Sequence, residues 1–338
     1  MIATLLRIVL RRLLAAVPIL VLVSMMLFGI LRLLPVDPAA MSVPPNATRE
    51  EIETVRRDMG LDRPIPEQYV RWALTLLRGD FGTSIHYRKP VGPLLAETLP
   101  ATIELALAAL VVAGFLGIGG GLGLFHVRGT WKAAVGDLGS TALMSIPSFL
   151  WAIILILIFA VAFRAMPVAG RLDMAFARPP GTGFLLLDAI LAGRLDLLAS
   201  AAKHLVLPAF ALGLSFSPPI MRVLRSGLHD VYAEDYIRQA RLRGLDEGRI
   251  LIGHAARNAM LPTATLLGVQ FGFLFGGTLL VEVLFSFPGM GGLMVEAVRN
   301  TDLPVIQAIG LTYCLVVLAV NAVTDIVCLL LDPRLRAN

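Results

Sequence analysis

The sequence predicts an all-α polytopic membrane protein with six transmembrane helices, and three observations carry that expectation. Hydrophobic residues make up 57 % of the 338-residue chain and charged residues only 16 %, far from the balance of a soluble domain. Phe149–Phe163 reads FLWAIILILIFAVAF without a charge, and its eleven Leu, Ile, Phe and Val residues are worth roughly −3 to −7 kcal/mol toward insertion. Finally, stretches of about twenty apolar residues between polar ends, the length that crosses a hydrocarbon core, recur near 12–34, 101–125, 137–163, 204–225, 263–282 and 305–331.

The first stretch follows Arg7, Arg11 and Arg12 in the manner of a signal peptide. Its apolar core is too long for one, since Arg12 and Arg32 are about 30 Å apart along a helix; it is expected to be an uncleaved span. Residues 36–100 form a polar segment with an amphipathic stretch, EEIETVRRDMGL, and turn chemistry at DRPIP. A second polar insert, 164–202, contains Pro167, Pro179 and Pro180 and is expected to be loop plus one short helix around LLLDAILAG. The organisation is therefore 1–35 (N-terminus and first span), 36–100 (water-facing subdomain) and 101–338 (five-span core).

Six spans place both termini on one side. Arginine and lysine divide almost evenly between the sides, but short loops and span ends weigh most. Arg12, Arg128, Lys132, Arg222, Arg225, Arg238, Arg241, Arg243, Arg249, Arg257, Arg334 and Arg336 then favour cytoplasmic termini, leaving 36–100 and 164–202 extracytoplasmic. The net charge of +5 is dispersed between apolar runs with no aromatic interleaving, which argues against a nucleic-acid partner. The bilayer is the expected surrounding. Cys314 and Cys328 share one apolar run and read as packing residues.

The segment Arg222–Pro262 is the most informative. Ala233, Ile237, Ala240 and Gly244 fall on one helical face, and Glu234 stands four residues before Arg238. Gly244 occupies the place of a helix C-terminal residue tolerant of positive φ, and Asp246 that of the next N-cap. The expectation is helix, sharp turn, helix, with the second helix running from about Glu247 into the fifth span. The first is expected to protrude and to seat its small apolar face in a groove of another protein.

Weaker signals read as structure. GIGGGLG at Gly117–Gly123 lies in an apolar span and suits close helix packing. Glu104 and Glu282 near span ends are read as hydrated or paired with arginine, Glu282 also as a candidate for the translocation path; Asp137 and Asp325 are expected to pair with nearby arginine or backbone. Ser215, Ser217, Gln270 and Thr278 are candidate lining groups of a mildly polar path lined mainly by the second to fifth spans. No histidine pair has metal-ligand spacing, and no Ser, His and Asp set suggests an enzyme.

The loop resembles that of bacterial ABC importer permeases, whose short helix docks on the ATPase subunit. Gly244 and Leu261-Pro262 stand in place, with Arg238-Gln239-Ala240 where many members have EAA. YIRQARLRGL followed by HAARNAMLP is similar to the dipeptide, oligopeptide and nickel permease family. So are RLLPVDP (Arg32–Pro38), LRGDFGTSI (Leu77–Ile85), TLPATIELALAAL (Thr98–Leu110), EVLFSFPGMG (Glu282–Gly291) and LLDPRLR (Leu330–Arg336). The resemblance implies a type I importer permease fold and a complex of this chain, a second homologous permease, two cytoplasmic ATPases and an extracytoplasmic solute-binding protein. Tyr232, Ala233, Glu234, Tyr236, Ile237, Arg238, Ala240, Gly244 and Asp246 would form the coupling site. No G-x-x-x-x-G-K-[ST] loop occurs, so ATP and Mg would be bound by the partner ATPases and this chain would need no cofactor. Residues 36–100, 164–202 and Phe285–Gly292 would help receive the binding protein, and the solute could be a dipeptide, a longer peptide, glutathione or a nickel complex. The alternative is an ion-coupled secondary transporter or channel, which would want an ionisable relay at mid-membrane; these spans are nearly uncharged there.

Overall fold

The computed structural model describes residues 2–33, 37–44 and 46–331, and among these there are helices and no strand beyond one isolated bridge between Thr83 and Pro90. Arg334, Arg336 and most of the LLDPRLR segment lie outside the described residues. Five helices are long and apolar enough to cross a membrane, and a sixth span is counted if one bent pair is taken together. They are α1 (Ile2–Leu33), α5 (Val91–His126), α9 (Leu195–Tyr232), α12 (Ala256–Leu284) and α14 (Leu303–Leu331). Short α11 (Glu247–Arg249) and a π-helical turn (Ile250–Ala255) lead directly into α12.

The bent pair is α6 (Trp131–Ser145) and α7 (Ser148–Leu155), the latter continued by a π-helical stretch, Ile156–Ala162. The sequence suggested one continuous span at 137–163; the structure breaks it by 100°. Pro147 is the cause. It has no N–H to give the Leu143 carbonyl and forces Ile146 into extended backbone (φ −94°, ψ 119°). The indole N–H of Trp151 donates to the Leu143 carbonyl instead, at 3.3 Å.

α5 and α9 form the centre of the bundle, and glycine sets how closely they pack. A Cβ on Gly117 would lie 2.6 Å from Ile220, and one on Gly213 would lie 2.4 Å from Val112. The GIGGGLG run is thus a packing surface against α9, as its apolar setting suggested. α12 packs on both helices, α14 on α12, and α1 on α14.

The spans overrun their expected limits because a helix need not end at the bilayer edge. α5 starts at Val91, just past Pro90, and α9 at Leu195, so the last turns of each polar segment are helical extensions of a span. One end of the bundle, the loop end, gathers His126, Tyr232 and Glu247. The other, the insert end, gathers Val91, Leu195, Leu284 and Leu303. On the insert end lie α2 (Pro38–Ser42), α3 (Arg49–Asp58), α4 (Ile65–Leu77), α8 (Leu185–Leu191) and α13 (Met290–Arg299). α3 is the amphipathic stretch read from sequence, started by a capping box in which Thr48 and Glu51 serve each other's backbone N–H.

Candidate functional site

At the loop end the turn chemistry builds a fixed protrusion. α10 (Asp235–Leu242) ends at Gly244, whose φ is +77°. The Gly244 N–H donates to the Arg241 carbonyl at 2.9 Å and the Leu245 N–H to the Ala240 carbonyl at 3.3 Å, the paired bonds of a Schellman turn. Asp246 follows in extended backbone and accepts from the Gly248 N–H at 2.9 Å. Both positions are occupied as the sequence suggested.

The direction of the apolar face is not as expected. Ile237 and Ala240 are buried against Phe125, Leu224, Leu228, Ile250 and Leu251 of this same chain, while Ala233 and Gly244 are exposed. A short helix with so small an apolar stripe is held only by spending it on its own scaffold. What α10 presents outward is polar: Glu234, Asp235, Arg238, Gln239 and Arg243, with Tyr236 and Leu242. Glu234 sits at the N-cap and makes no ion pair with Arg238 among the described residues.

The base of the protrusion is clamped by contacts that the sequence did not reveal. Tyr232 lies between the guanidinium groups of Arg128 (4.7 Å) and Arg241 (5.3 Å) and edge-on to Phe125 (4.7 Å). Arg241 donates to Glu247 across the turn at 2.6 Å, and that bond holds its guanidinium above the ordinary value. The Asn258 side-chain amide donates to the Tyr236 hydroxyl at 2.7 Å. Arg128 is more than one hundred positions away in sequence, so no local pattern could have placed it here.

The candidate lining groups separate into two kinds. Ser217 and Thr278 are fully buried inside the chain, as is Glu282, and Gln270 is also buried, at 8 % exposure. Pro218 lacks the N–H that would serve the Leu214 carbonyl, and the Ser217 hydroxyl serves it at 3.2 Å. Thr278 returns to the Phe275 carbonyl at 3.1 Å. Ser215 is partly exposed, 3.4 Å from the Ile146 carbonyl at the break between α6 and α7. Gln270 reaches the Phe216 carbonyl at 3.4 Å.

Glu282 is fully buried and has no arginine within ion-pair distance among the described residues. Its carboxylate accepts from Thr102 at 2.8 Å and from the N–H groups of Gly291 (2.7 Å) and Gly292 (3.2 Å), the open first turn of α13. A buried acid at a helix N-terminus is stabilised by those donors and the dipole. This explains the glycines of EVLFSFPGMG: a Cβ on Gly289 would come within 2.4 Å of the carboxylate. It also folds Phe285–Gly292 inward, leaving Ser286 and Pro288 as its exposed residues, so the segment offers a smaller outer surface than expected.

Glu104 does pair with an arginine. It forms a buried salt bridge with Arg171 of the 164–202 insert and accepts from the Leu186 N–H at 2.8 Å. Arg171 also donates to the Gly183 carbonyl; burial lowers its affinity for its proton and Glu104 opposes that. On the other segment Asp302, fully buried, accepts from Ser84 and from the N–H groups of Ile85 and His86, both at 3.1 Å. One carboxylate each thus docks the two polar segments onto α5 and α14. Asp137 pairs with Arg225, and Asp325 with Arg12.

Comparison with known proteins agrees with this architecture. Residues 127–337 match the family described as binding-protein-dependent transport system inner membrane component, and residues 5–106 its N-terminal counterpart. The chain is 36 % identical over 332 residues to the di/tripeptide transport system permease protein DppB of Pseudomonas aeruginosa, covering 96 % of this chain and 97 % of that one. It is 34 % identical to the glutathione transport system permease protein GsiC of Salmonella paratyphi A, and 32 % to that of Escherichia coli strain K12, each over 97 % of this chain and 98 % of the relative. The chain belongs to the binding-protein-dependent transport system inner membrane components and is a multi-pass permease subunit of an ABC importer.

Proposed function

We propose that this subunit forms half of a translocation path for di- or oligopeptides, glutathione or similar small solutes. A second homologous permease completes the path, two cytoplasmic ATPases bind ATP and Mg, and an extracytoplasmic binding protein delivers the solute. The termini and the loop end face the cytoplasm, and residues 36–100 and 164–202 face outward with their surfaces turned to the binding protein. Support for the sidedness comes from the arginines at the loop end, with the two docked polar segments opposite.

The observation that carries the reading is α10. It buries Ile237 and Ala240 in its own chain, is clamped through Tyr232, and holds Ala233, Glu234, Tyr236 and Arg238 outward on a Schellman turn. Such a helix is a rigid handle for a partner, with Gly244 and Asp246 setting its angle. Motion of the ATPases would pass through it to α9 and α12, which flank it in sequence and run the depth of the bundle. Ser215, partly exposed beside the α6–α7 break, remains as a lining group, while Ser217, Gln270, Thr278 and Glu282 are buried within the chain.

The test is a cysteine at Arg238 in the reconstituted transporter. It should crosslink to the ATPase subunit and react with an impermeant maleimide only from the cytoplasmic face. Labelling from outside would remove the assigned sidedness, and crosslinking to the binding protein would remove the coupling role.

A further inference from the structure

The insert end contains a small bipolar cavity that none of these roles uses. It has a volume of about 260 Å³ and lies between α1, α4, the start of α14 and the segment following α4. That is below the roughly 300–1,000 Å³ of typical pockets for drug-sized ligands, a size for a headgroup more than for a peptide.

Its position relative to the bilayer follows from α4. The Tyr69 hydroxyl is 2.9 Å from Ser24 Oγ, and Tyr69 and Trp72 pack on Phe28 with ring centroids 5.7 and 5.3 Å away. Ser24 lies nine residues before the end of α1, about 13 Å down the helix, so α4 rests against the outer turns of a span. Its other side exposes Ile65, Val70, Leu74 and Leu77, and α1 beside it exposes Leu22, Met25, Met26 and Ile30. Aromatic residues, arginines and an uncovered apolar stripe are the composition of a helix seated in the bilayer interface.

The cavity wall has donors and acceptors together. Arg32 is stacked on Phe28 at 5.1 Å and has no carboxylate within ion-pair distance among the described residues. Arg71 also faces the cavity, partly neutralised by Glu67 at 3.3 Å. Gln68 is tied through Nε2 to the Leu61 and Arg63 carbonyls, with its Oε1 enclosed and unpartnered among the described residues, which leaves Asp80 as the acceptor side. Asp80 uses one oxygen to accept from the Gly82 N–H at 2.8 Å.

We infer that this cavity binds the headgroup of a phospholipid bearing a primary amine, its phosphodiester on Arg32 and Arg71 and its ammonium on Asp80. The acyl chains lie along the exposed apolar faces of α1 and α4. A quaternary ammonium has no N–H to donate to Asp80, and a glycerol headgroup has no cation for it, so the site distinguishes phosphatidylethanolamine from phosphatidylcholine and phosphatidylglycerol.

Native mass spectrometry of the purified transporter, offered each lipid at equal concentration, tests this. Retention of phosphatidylethanolamine should exceed the other two about tenfold; Arg32→Gln should remove the excess, and Arg78→Gln, outside the cavity, should not. Equal retention of the three lipids, or an unchanged excess in Arg32→Gln, overturns the proposal. So does equal occupancy by soluble O-phosphoethanolamine or by a dipeptide in lipid-free micelles, since the occupant would then be a free solute. A photoreactive phosphatidylethanolamine on the unaltered protein gives a measurement independent of any variant's folding. Its crosslinks should fall within 24–33 and 65–81, and their absence there overturns the proposal.

Discussion

Thr102 of α5 donates to the Glu282 carboxylate at 2.8 Å and accepts from the Met290 N–H at 2.8 Å, so one hydroxyl joins α5 and α12 to the start of α13. Removing it leaves the buried Met290 N–H without its partner, worth about 1–3 kcal/mol, and takes one of three donors from the Glu282 carboxylate. Thr102→Val, which keeps the shape, should lower the thermal unfolding midpoint of the purified protein. Glu282→Ala, which strips three bonds and opens a cavity, should lower it further. Glu282→Gln, which retains one acceptor oxygen, should fall between wild type and Glu282→Ala.

Packing of α5 on α9 gives a second test. A Cβ at Gly117 meets Ile220 at 2.6 Å, whereas Gly119 has open space. Gly117→Ala should therefore cost about 1–3 kcal/mol through overpacking. Gly119→Ala should be neutral or stabilising, since alanine favours helix over glycine by about 1 kcal/mol. Folded yield in detergent by size-exclusion chromatography separates the two.

These two cases also show what the sequence could and could not reveal. The glycine run and the spans were legible because hydrophobic length and small residues are local signals. Gly244 and Asp246 were legible because caps are written within a few positions. The Thr102–Glu282 bond, the Glu104–Arg171 bridge and the Arg128–Tyr232 clamp were not, because each joins residues 67 to 180 positions apart. The same limit hid which way α10 faces: amphipathicity identifies an apolar stripe, not whether its cover is the same chain or another. Pro147 was visible in the third stretch, but its 100° consequence depended on Trp151 being free to satisfy Leu143.

The 164–202 insert should have an acid-sensitive fold. Burial works to raise the Asp188 value, but the N–H and hydroxyl of Thr182 (both 2.8 Å) and the N–H of Gly183 (3.0 Å) outweigh it, and the group is held below its ordinary value. A carboxylate depressed in the folded state adds stability above its unfolded pKa of about 3.9 and loses it as pH falls through the folded value. Amide exchange in 181–192 should be flat from neutral pH down to about 5, after correction for intrinsic rates, and accelerate only below about 4. Asp188→Asn should exchange faster at neutral pH and lose the acid step; an unchanged acid step would assign it to another group.

Gly244 is the position where a small change should damage coupling more than folding. Its φ of +77° is one that a side chain rarely adopts, yet an added Cβ would meet nothing within 4 Å. The cost of Gly244→Val is therefore conformational, on the order of 1–2 kcal/mol, and the chain relieves it most readily by unwinding the Schellman turn. Unwinding frees the Ala240 and Arg241 carbonyls and re-aims α10 while the buried spans stay packed. Membrane insertion and co-purification with the partner subunits should persist in Gly244→Val, and ATP-driven uptake in reconstituted vesicles should be abolished. Asp246→Ala removes only one N-cap bond, about 1 kcal/mol, and should retain most uptake. Wild-type uptake by Gly244→Val would mean that α10 transmits no force and that the loop is an ordinary connection between α9 and α12.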